Sequence, residues 1–423
     1  MKEMALWRSL VGFSAIPALG ALSPLVALPV VARAAGPSGW SSAIAGESVG
    51  TFAAILLAYG WTTVGPARVA QAPPVARARL YRESLVIRGL MAIPVFPALI
   101  GACLVVATDG YELLTVLMGI QGALIALSFA WFAVGVNDPG SIARLDAVPR
   151  VLGALVAAGL VAATGVIAIY PILGILVTLL GTIVYTRRIL RALPGSWPSF
   201  QNLPAVLRST SVVVVNDMAL GSYAAVPVPL VNTTTSVSAA AASAYASADK
   251  MVKLGQFLPL TLSNALQSWT AADGGEARAK RVRQAIIAHA TLGIAGWAFL
   301  VLCGPWASRL LFGEQGAEDS ALLCVLGIAF AAFSIRTSLT RHLLFPCGEV
   351  RIVAAATLAG SALGVPLMIG LAPSIGTLGV AVGYTATEVL STAIPLVRAV
   401  SCMRRIAELP TEGSVEQEPR ANE

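Results

Sequence analysis

Long apolar runs recur along this chain, each close to the ~20 residues an α-helix needs to cross a bilayer. Short polar breaks separate them. The pattern predicts spans at about residues 7–31, 42–64, 84–107, 113–136, 148–169, 171–188, 209–231, 232–269, 285–302, 321–345, 353–371 and 375–397. The runs lack the short alternation of barrel strands, which excludes a membrane β-barrel. Pro17, Pro24 and Pro29 predict kinks in the first span. A turn at 33–40 follows, with Trp40 suited to the membrane interface. Arg68, Arg77, Arg79 and Arg82 around Pro73-Pro74 predict a helix lying on the inner leaflet. Pro227 and Pro229 in span seven mark either a hinge or a curvature.

The composition agrees with this pattern. Hydrophobic residues make up 57% of the chain and charged ones 12%, against about 25% charged in soluble domains; mean hydropathy is +0.80. The net charge of +7 is therefore read as topology and membrane-surface attraction, not nucleic-acid binding. Arg and Lys cluster in the connections two–three, four–five, six–seven, eight–nine and ten–eleven, while the other side holds only Arg33 and Arg309. The positive-inside rule then puts both termini in the cytoplasm. The expected fold is an all-α polytopic membrane protein with about 12 transmembrane helices in two pseudo-symmetric six-helix bundles. The expected divisions are an N-terminal bundle at 1–190, a cytoplasmic linker at 191–208, a C-terminal bundle at 209–403 and a disordered tail at 404–423. The first span is read as retained, since no small-residue cleavage site follows it.

The chemistry is concentrated in span eight, in the run Tyr245-Ala-Ser-Ala-Asp-Lys-Met-Val-Lys253. Ionisable residues inside a span are expensive and usually face a cavity or a partner. Asp249 and Lys253 are four apart, acid first, the favourable order for a pair along one helix. Lys250 then leaves a positive charge over, which predicts a wet, cationic cavity; a self-neutralised structural pair is the blander reading. The same stretch has an internal match. Residues 40–52 lie on residues 245–257 without a gap, pairing Trp40 with Tyr245, Ser42 with Ser247, Ala43 with Ala248, Gly50 with Gly255 and Phe52 with Phe257. Two six-helix halves in parallel orientation would give that pattern. In this register Ile44, Ala45 and Ser48 oppose the charged positions of span eight, which predicts that the cavity charge belongs mainly to the second half.

Short motifs carry a resemblance to a known family. The turn Arg33-Ala-Ala-Gly-Pro-Ser-Gly-Trp40, Trp131-Phe132 with Gly135 and Ile142-Ala143, and Tyr245-x-x-Ala248-Asp249-Lys250 resemble Wzx-type polysaccharide flippases. These belong to the multidrug/oligosaccharidyl-lipid/polysaccharide exporter superfamily. The resemblance implies two six-helix bundles in a V around a central cavity. It also implies alternating access and translocation of an undecaprenyl-pyrophosphate-linked oligosaccharide across a bacterial cytoplasmic membrane, for cell-surface polysaccharide assembly. The partners it implies are that lipid-linked oligosaccharide and the bilayer, with H+ or Na+ and a polysaccharide polymerase as further candidates. The chain is shorter than the lipid II flippases of the superfamily, which have two further spans, and that favours the polysaccharide branch.

Substrate-binding candidates are Lys250, at a position matching the family, and Lys253 and Arg336, taken on chemistry alone: buried cations lower the cost of a pyrophosphate in a low dielectric. Ion-coupling candidates are the intramembrane carboxylates Asp217, Asp249, Glu47 and Glu388. Asp217 has the alternative of pairing with Lys250 or Lys253. Arg88 and Arg341, near the inner surface, are expected to snorkel. Five scattered cysteines and two isolated histidines, His289 and His342, suggest neither metal nor disulfide framework. No P-loop, zincin helix or paired His and carboxylate is present, so no enzyme activity and no cofactor are expected. Three rivals stay open: an ion-coupled multidrug exporter, which should have an acidic cavity; a membrane enzyme of envelope glycan assembly, which usually needs a large external loop; and a non-transporting scaffold.

Overall fold

The computed structural model describes residues 2–192, 197–198, 203–271, 275–316, 318 and 320–408. The regular structure in these residues is helical throughout. The expected linker at 191–208 is described only in part, and the tail beyond Glu408 lies outside the described residues. Helices α1 (2–35) and α2 (37–58) run on from one another through a single break at Gly36, φ 66°. An unbroken helix of that length would reach about 85 Å, nearly three times the ~30 Å hydrocarbon core, so the break is obligatory. The backbone stays helical through Pro17, Pro24 and Pro29; the interruption sits at glycine, the residue that tolerates positive φ.

A short helix, Trp61–Gln71, follows α2. Then come α3 (Pro74–Val106), α4 (Glu112–Gly135), α5 (Pro139–Thr164) and α6 (Ile169–Ala192). In the second half, α7 is Leu203–Ala225 plus Pro227–Thr233, bent by 45°. Helix α8 is Ala239–Gly255 plus Phe257–Ala271, and α9 is Gly275–Leu302. After the short helix Gly304–Phe312 comes α10 (Ser320–Leu344), and α11 (350–374) and α12 (377–408) are divided at Ile375 and Gly376. Among the described residues, eight helices are long and apolar enough to cross a membrane, or nine counting bent α7 as one span. Twelve segments result once the long helices are divided at Gly36 and Gly376 and α8 is added. Helix α8 falls outside the apolar count because it breaks at Gln256 and carries Asp249, Lys250 and Lys253.

Small residues set the close packing. A Cβ on Gly46 or Gly50 would lie 2.1 or 2.0 Å from the backbone oxygens of Thr115 and Gly119, so α2 and α4 touch backbone to backbone. The α11–α12 hairpin uses the same device, with Gly364 against Thr387 and Gly379 against Leu371. Outward-facing positions on the helices include exposed apolar side chains such as Leu302 and Val397. One apolar cluster draws on both halves, from Ile44 and Met118 to Tyr245, Phe330 and Tyr384.

Three sequence expectations are corrected. Trp40 is not interfacial but buried to 1%, because it packs between the halves. Residues 74–82 are the first turns of α3 instead of a surface helix, since Pro74 sits at the helix start where its missing N–H costs nothing. Arg88 does not snorkel. It is buried, donates to the Ser128 carbonyl at 3.3 Å and lies 5.2 Å over the Trp131 ring, where the irregular α4 leaves that carbonyl unused by the helix ladder.

Candidate functional site

The two matched stretches of sequence meet in space. Trp40 Nε1 donates to Ser247 Oγ at 3.0 Å, and Lys250 Nζ donates to Glu47 Oε1 at 2.6 Å. These contacts span 207 and 203 residues, on either side of the 205-residue offset that lays Tyr245 on Trp40. Helices α2 and α8 therefore run parallel, in the register of the repeat, along the seam between the halves. Small side chains make this possible: Ser42, Ala43, Ala45, Ala246, Ser247 and Ala248 are buried. Trp40 also packs on Phe312 with centroids 5.4 Å apart, and Arg33 donates to the Leu310 carbonyl. The end that bears the Gly36 break is thus bridged. At the opposite end Thr63 Oγ1 donates to Asp217 Oδ2 at 2.7 Å and the Tyr59 hydroxyl to the Leu207 carbonyl at 3.3 Å. Both ends of the seam are tied in this conformation.

The seam lysines have different partners. Lys250 reaches across to Glu47, with side-chain exposures of 14% and 30%. Lys253 stays within its own half: it lies 2.7 Å from Asp249, one turn back on α8, and donates to the Ala224 carbonyl at 3.0 Å. That carbonyl sits at the α7 bend, where Pro227 and Pro229 lack the N–H groups that would continue the ladder. The predicted surplus of positive charge is cancelled, because Glu47 supplies the second acid from the first half. The register of the repeat hid this. Glu47 is two residues from Ala45, the position laid opposite Lys250, and a long side chain crosses that gap. Asp217 pairs with neither lysine; it lies midway along α7, more than two turns before the bend, and accepts from Thr63.

Arg336 and Glu388 are brought together 2.8 Å apart, deep in the second half, with Glu388 1% exposed. Tyr223 completes the group, donating to Glu388 at 3.0 Å and accepting from Arg336 at 3.1 Å. Tyr384 lies tilted beside it, with ring centroids 6.0 Å apart, and accepts from Gln256 at 3.4 Å. Arg341 is half-buried and donates to Asn264 Oδ1 at 2.6 Å. Tyr223, Tyr384 and Thr63 were absent from the sequence candidates. A tyrosine in mid-span is the usable signal, since its hydroxyl needs a partner when buried. A cavity of about 150 Å³ lies inside the first half, lined by Glu47, Gln121, Arg150 and Tyr170 among others. Glu47 thus borders both this cavity and the seam. No group of three or more metal-ligating side chains occurs among the described residues.

No family profile and no curated protein sequence matches the chain. Solved structures do. A lipid II flippase, MurJ, in an inward closed conformation superposes with a TM-score of 0.71 at 12% identity, over 93% of this chain and 89% of that one. The eukaryotic MATE transporter AtDTX14 gives 0.56 at 13% identity, over 96% and 99%. The MATE multidrug transporter DinF-BH gives 0.57 at 16%, over 94% and 98%. The chain has the fold these transporters share. At these identities the likeness speaks for architecture alone.

Proposed function

We propose that this protein is a flippase for lipid-linked oligosaccharides, working by alternating access with its termini in the cytoplasm of a bacterium. The observation that carries the proposal is the Lys250–Glu47 bridge across the seam. A motion that parts the halves at α2 and α8 breaks this pair and leaves an ammonium group facing the opened space. The pyrophosphate of a polyprenyl-linked sugar is a fitting replacement for the Glu47 carboxylate, and its lipid tail can stay in the bilayer. Lys253 keeps Asp249 and the Ala224 carbonyl during that motion, so it acts as a fixed neighbour, with Lys250 as the exchanging cation. Arg336 and Glu388 hold the second half rigid. The Thr63–Asp217 and Trp40–Ser247 contacts serve as the gates of the two ends. The fold is one that a lipid II flippase and multidrug transporters share, which suits a transport role.

One observation favours a second reading, export of cationic drugs. The seam carries two acids for two lysines, so an organic cation has Glu47 as its partner once Lys250 is withdrawn. The deciding experiment is translocation in proteoliposomes of a labelled undecaprenyl-pyrophosphate oligosaccharide and, separately, of a fluorescent organic cation. The flippase reading expects flipping of the glycolipid that Lys250→Ala abolishes. Efflux of the cation alone, lost in Glu47→Gln, would replace it with the second reading.

A further inference from the structure

The start of α3, the α4–α5 junction and the end of α6 enclose a pocket of about 400 Å³ in the first half. Its floor is aromatic and fixed. Phe132 and Tyr185 are buried, and Phe129 stacks on Tyr185 with centroids 4.1 Å apart. The polar lining is Arg77, Asp138, Ser141 and Arg188. Asp138 is already engaged. One of its oxygens accepts from the Ser141 N–H at 3.0 Å and the other from the Ser141 hydroxyl at 2.6 Å, which caps the start of α5.

The two arginines are not engaged in that way. Arg77 is half-buried in the first turn of α3, and its Nε donates to the Ala72 carbonyl at 3.0 Å, which fixes the side chain and leaves its terminal amino groups over. Arg188 is exposed near the end of α6. Among the described residues neither forms an ion pair. Two guanidinium groups against one carboxylate give the lining a single net positive charge. A phosphodiester carries one negative charge, and a guanidinium offers paired N–H donors to two phosphate oxygens. The more highly charged pyrophosphate would leave negative charge over.

The approach to the pocket separates a lipid from a free anion. Leu176, Leu180 and Val184 are exposed and stand four residues apart on α6, and the next step of that ridge is Arg188. From 176 to 188 the helix rises about 18 Å, close to half of a ~30 Å hydrocarbon core. The same helix ends also carry Arg79, Arg82, Arg187 and Arg191, against Glu83. The positive-inside rule assigns this end to the cytoplasmic leaflet, whose anionic lipids are drawn to basic pockets between helices.

We propose that this pocket binds the phosphodiester headgroup of an anionic phospholipid. Arg77 and Arg188 hold the phosphate, and one acyl chain lies along Leu176, Leu180 and Val184 toward the middle of the bilayer. The lipid bridges the ends of α3 and α6 inside one half. The pocket shares no lining residue with the Lys250–Glu47 seam, so the site stands whether or not the protein flips a glycolipid.

Native mass spectrometry of the full chain, purified in detergent, tests the site. Phosphatidylglycerol and phosphatidylcholine with the same acyl chains are titrated in separately, since they share the phosphodiester and differ in net charge. One phosphatidylglycerol should stay bound, with phosphatidylcholine roughly tenfold weaker. Arg77→Gln together with Arg188→Gln should weaken phosphatidylglycerol by roughly tenfold or more. Arg188→Gln alone, at an exposed position that carries no packing, should give part of that loss and keeps the test open if the double variant misfolds. Arg191→Gln, further along α6 and outside the pocket, should bind as the parent does. Unchanged binding in Arg188→Gln and the double variant, an equal loss in Arg191→Gln, or equal retention of phosphatidylcholine would overturn the site. Inorganic phosphate is the third probe. Phosphatidylglycerol that stays bound in its presence supports the lipid, whereas its displacement would give the pocket to a free anion and overturn the lipid assignment.

Discussion

The Lys250–Glu47 pair joins the two halves, whereas the Arg336–Glu388 pair lies inside one of them. Their contact distances are alike, 2.6 and 2.8 Å. Their settings are not. Glu388 is 1% exposed and shares Tyr223 with Arg336, while Glu47 is 30% exposed and has one oxygen without a partner. A rigid-body motion of the halves leaves the inner pair intact and breaks the one across the seam. Two ion pairs of similar length thus serve opposite ends: one fixes a bundle, the other marks where two bundles part.

The sharpest way to break this comparison is to unpair the inner cluster. Arg336→Met or Glu388→Leu alone leaves a buried charge uncompensated and should destabilise the protein by about 3–5 kcal/mol. The pair replaced together should recover most of that loss, because two buried charges and their desolvation vanish at once. Thermal unfolding followed by size-exclusion chromatography reads this. Single variants as stable as the parent would make the cluster no more structural than the seam. Next in size is Gly46→Leu, which drives a side chain into the Thr115 backbone. It should cost about 1–3 kcal/mol and shift Glu47 off Lys250, so transport should fall along with stability.

Lys250→Ala should invert the ranking. Stability should change by under about 1 kcal/mol, as for a partly exposed ion pair. Glycolipid flipping should fall roughly tenfold or more, from the ~1.5–3 kcal/mol of a charge-assisted contact. The swap Lys250→Glu with Glu47→Lys restores the closed seam without returning the cation to α8, and should leave flipping low. Recovery by the swap would reduce the pair to a structural clasp. The smallest effect is expected from Thr63→Val, which removes the Asp217 contact at one end. Spin-label distances across that end should shift toward the open state, with unfolding unchanged.

Much of the architecture was legible in the residues. Runs of lipid-compatible length report spans directly, because each helix must satisfy its backbone internally while it crosses hydrocarbon. The match of 40–52 with 245–257 singled out two stretches that meet in the structure, through contacts at separations of 207 and 203. The site was legible only as a set of expensive residues. Partner choice was not, since a long side chain reaches across several positions of a neighbouring helix. Glu47 therefore found Lys250, Asp217 found Thr63 and Arg336 found Glu388, none adjacent in sequence. Arg88 was misread for the same reason: hydropathy places a residue along a span but does not say which face meets lipid.

By itself the chain determined that it is an all-helical membrane protein, where its spans fall and which of them carry charge, because these follow from local composition and length. Only the tertiary structure decided that the seam is neutral, that the lysines have unlike partners and that two histidines isolated in sequence pack against each other. Those outcomes depend on which helix faces which, and that is set by backbone approach at small residues and by the breaks at Gly36, Gln256 and Gly376.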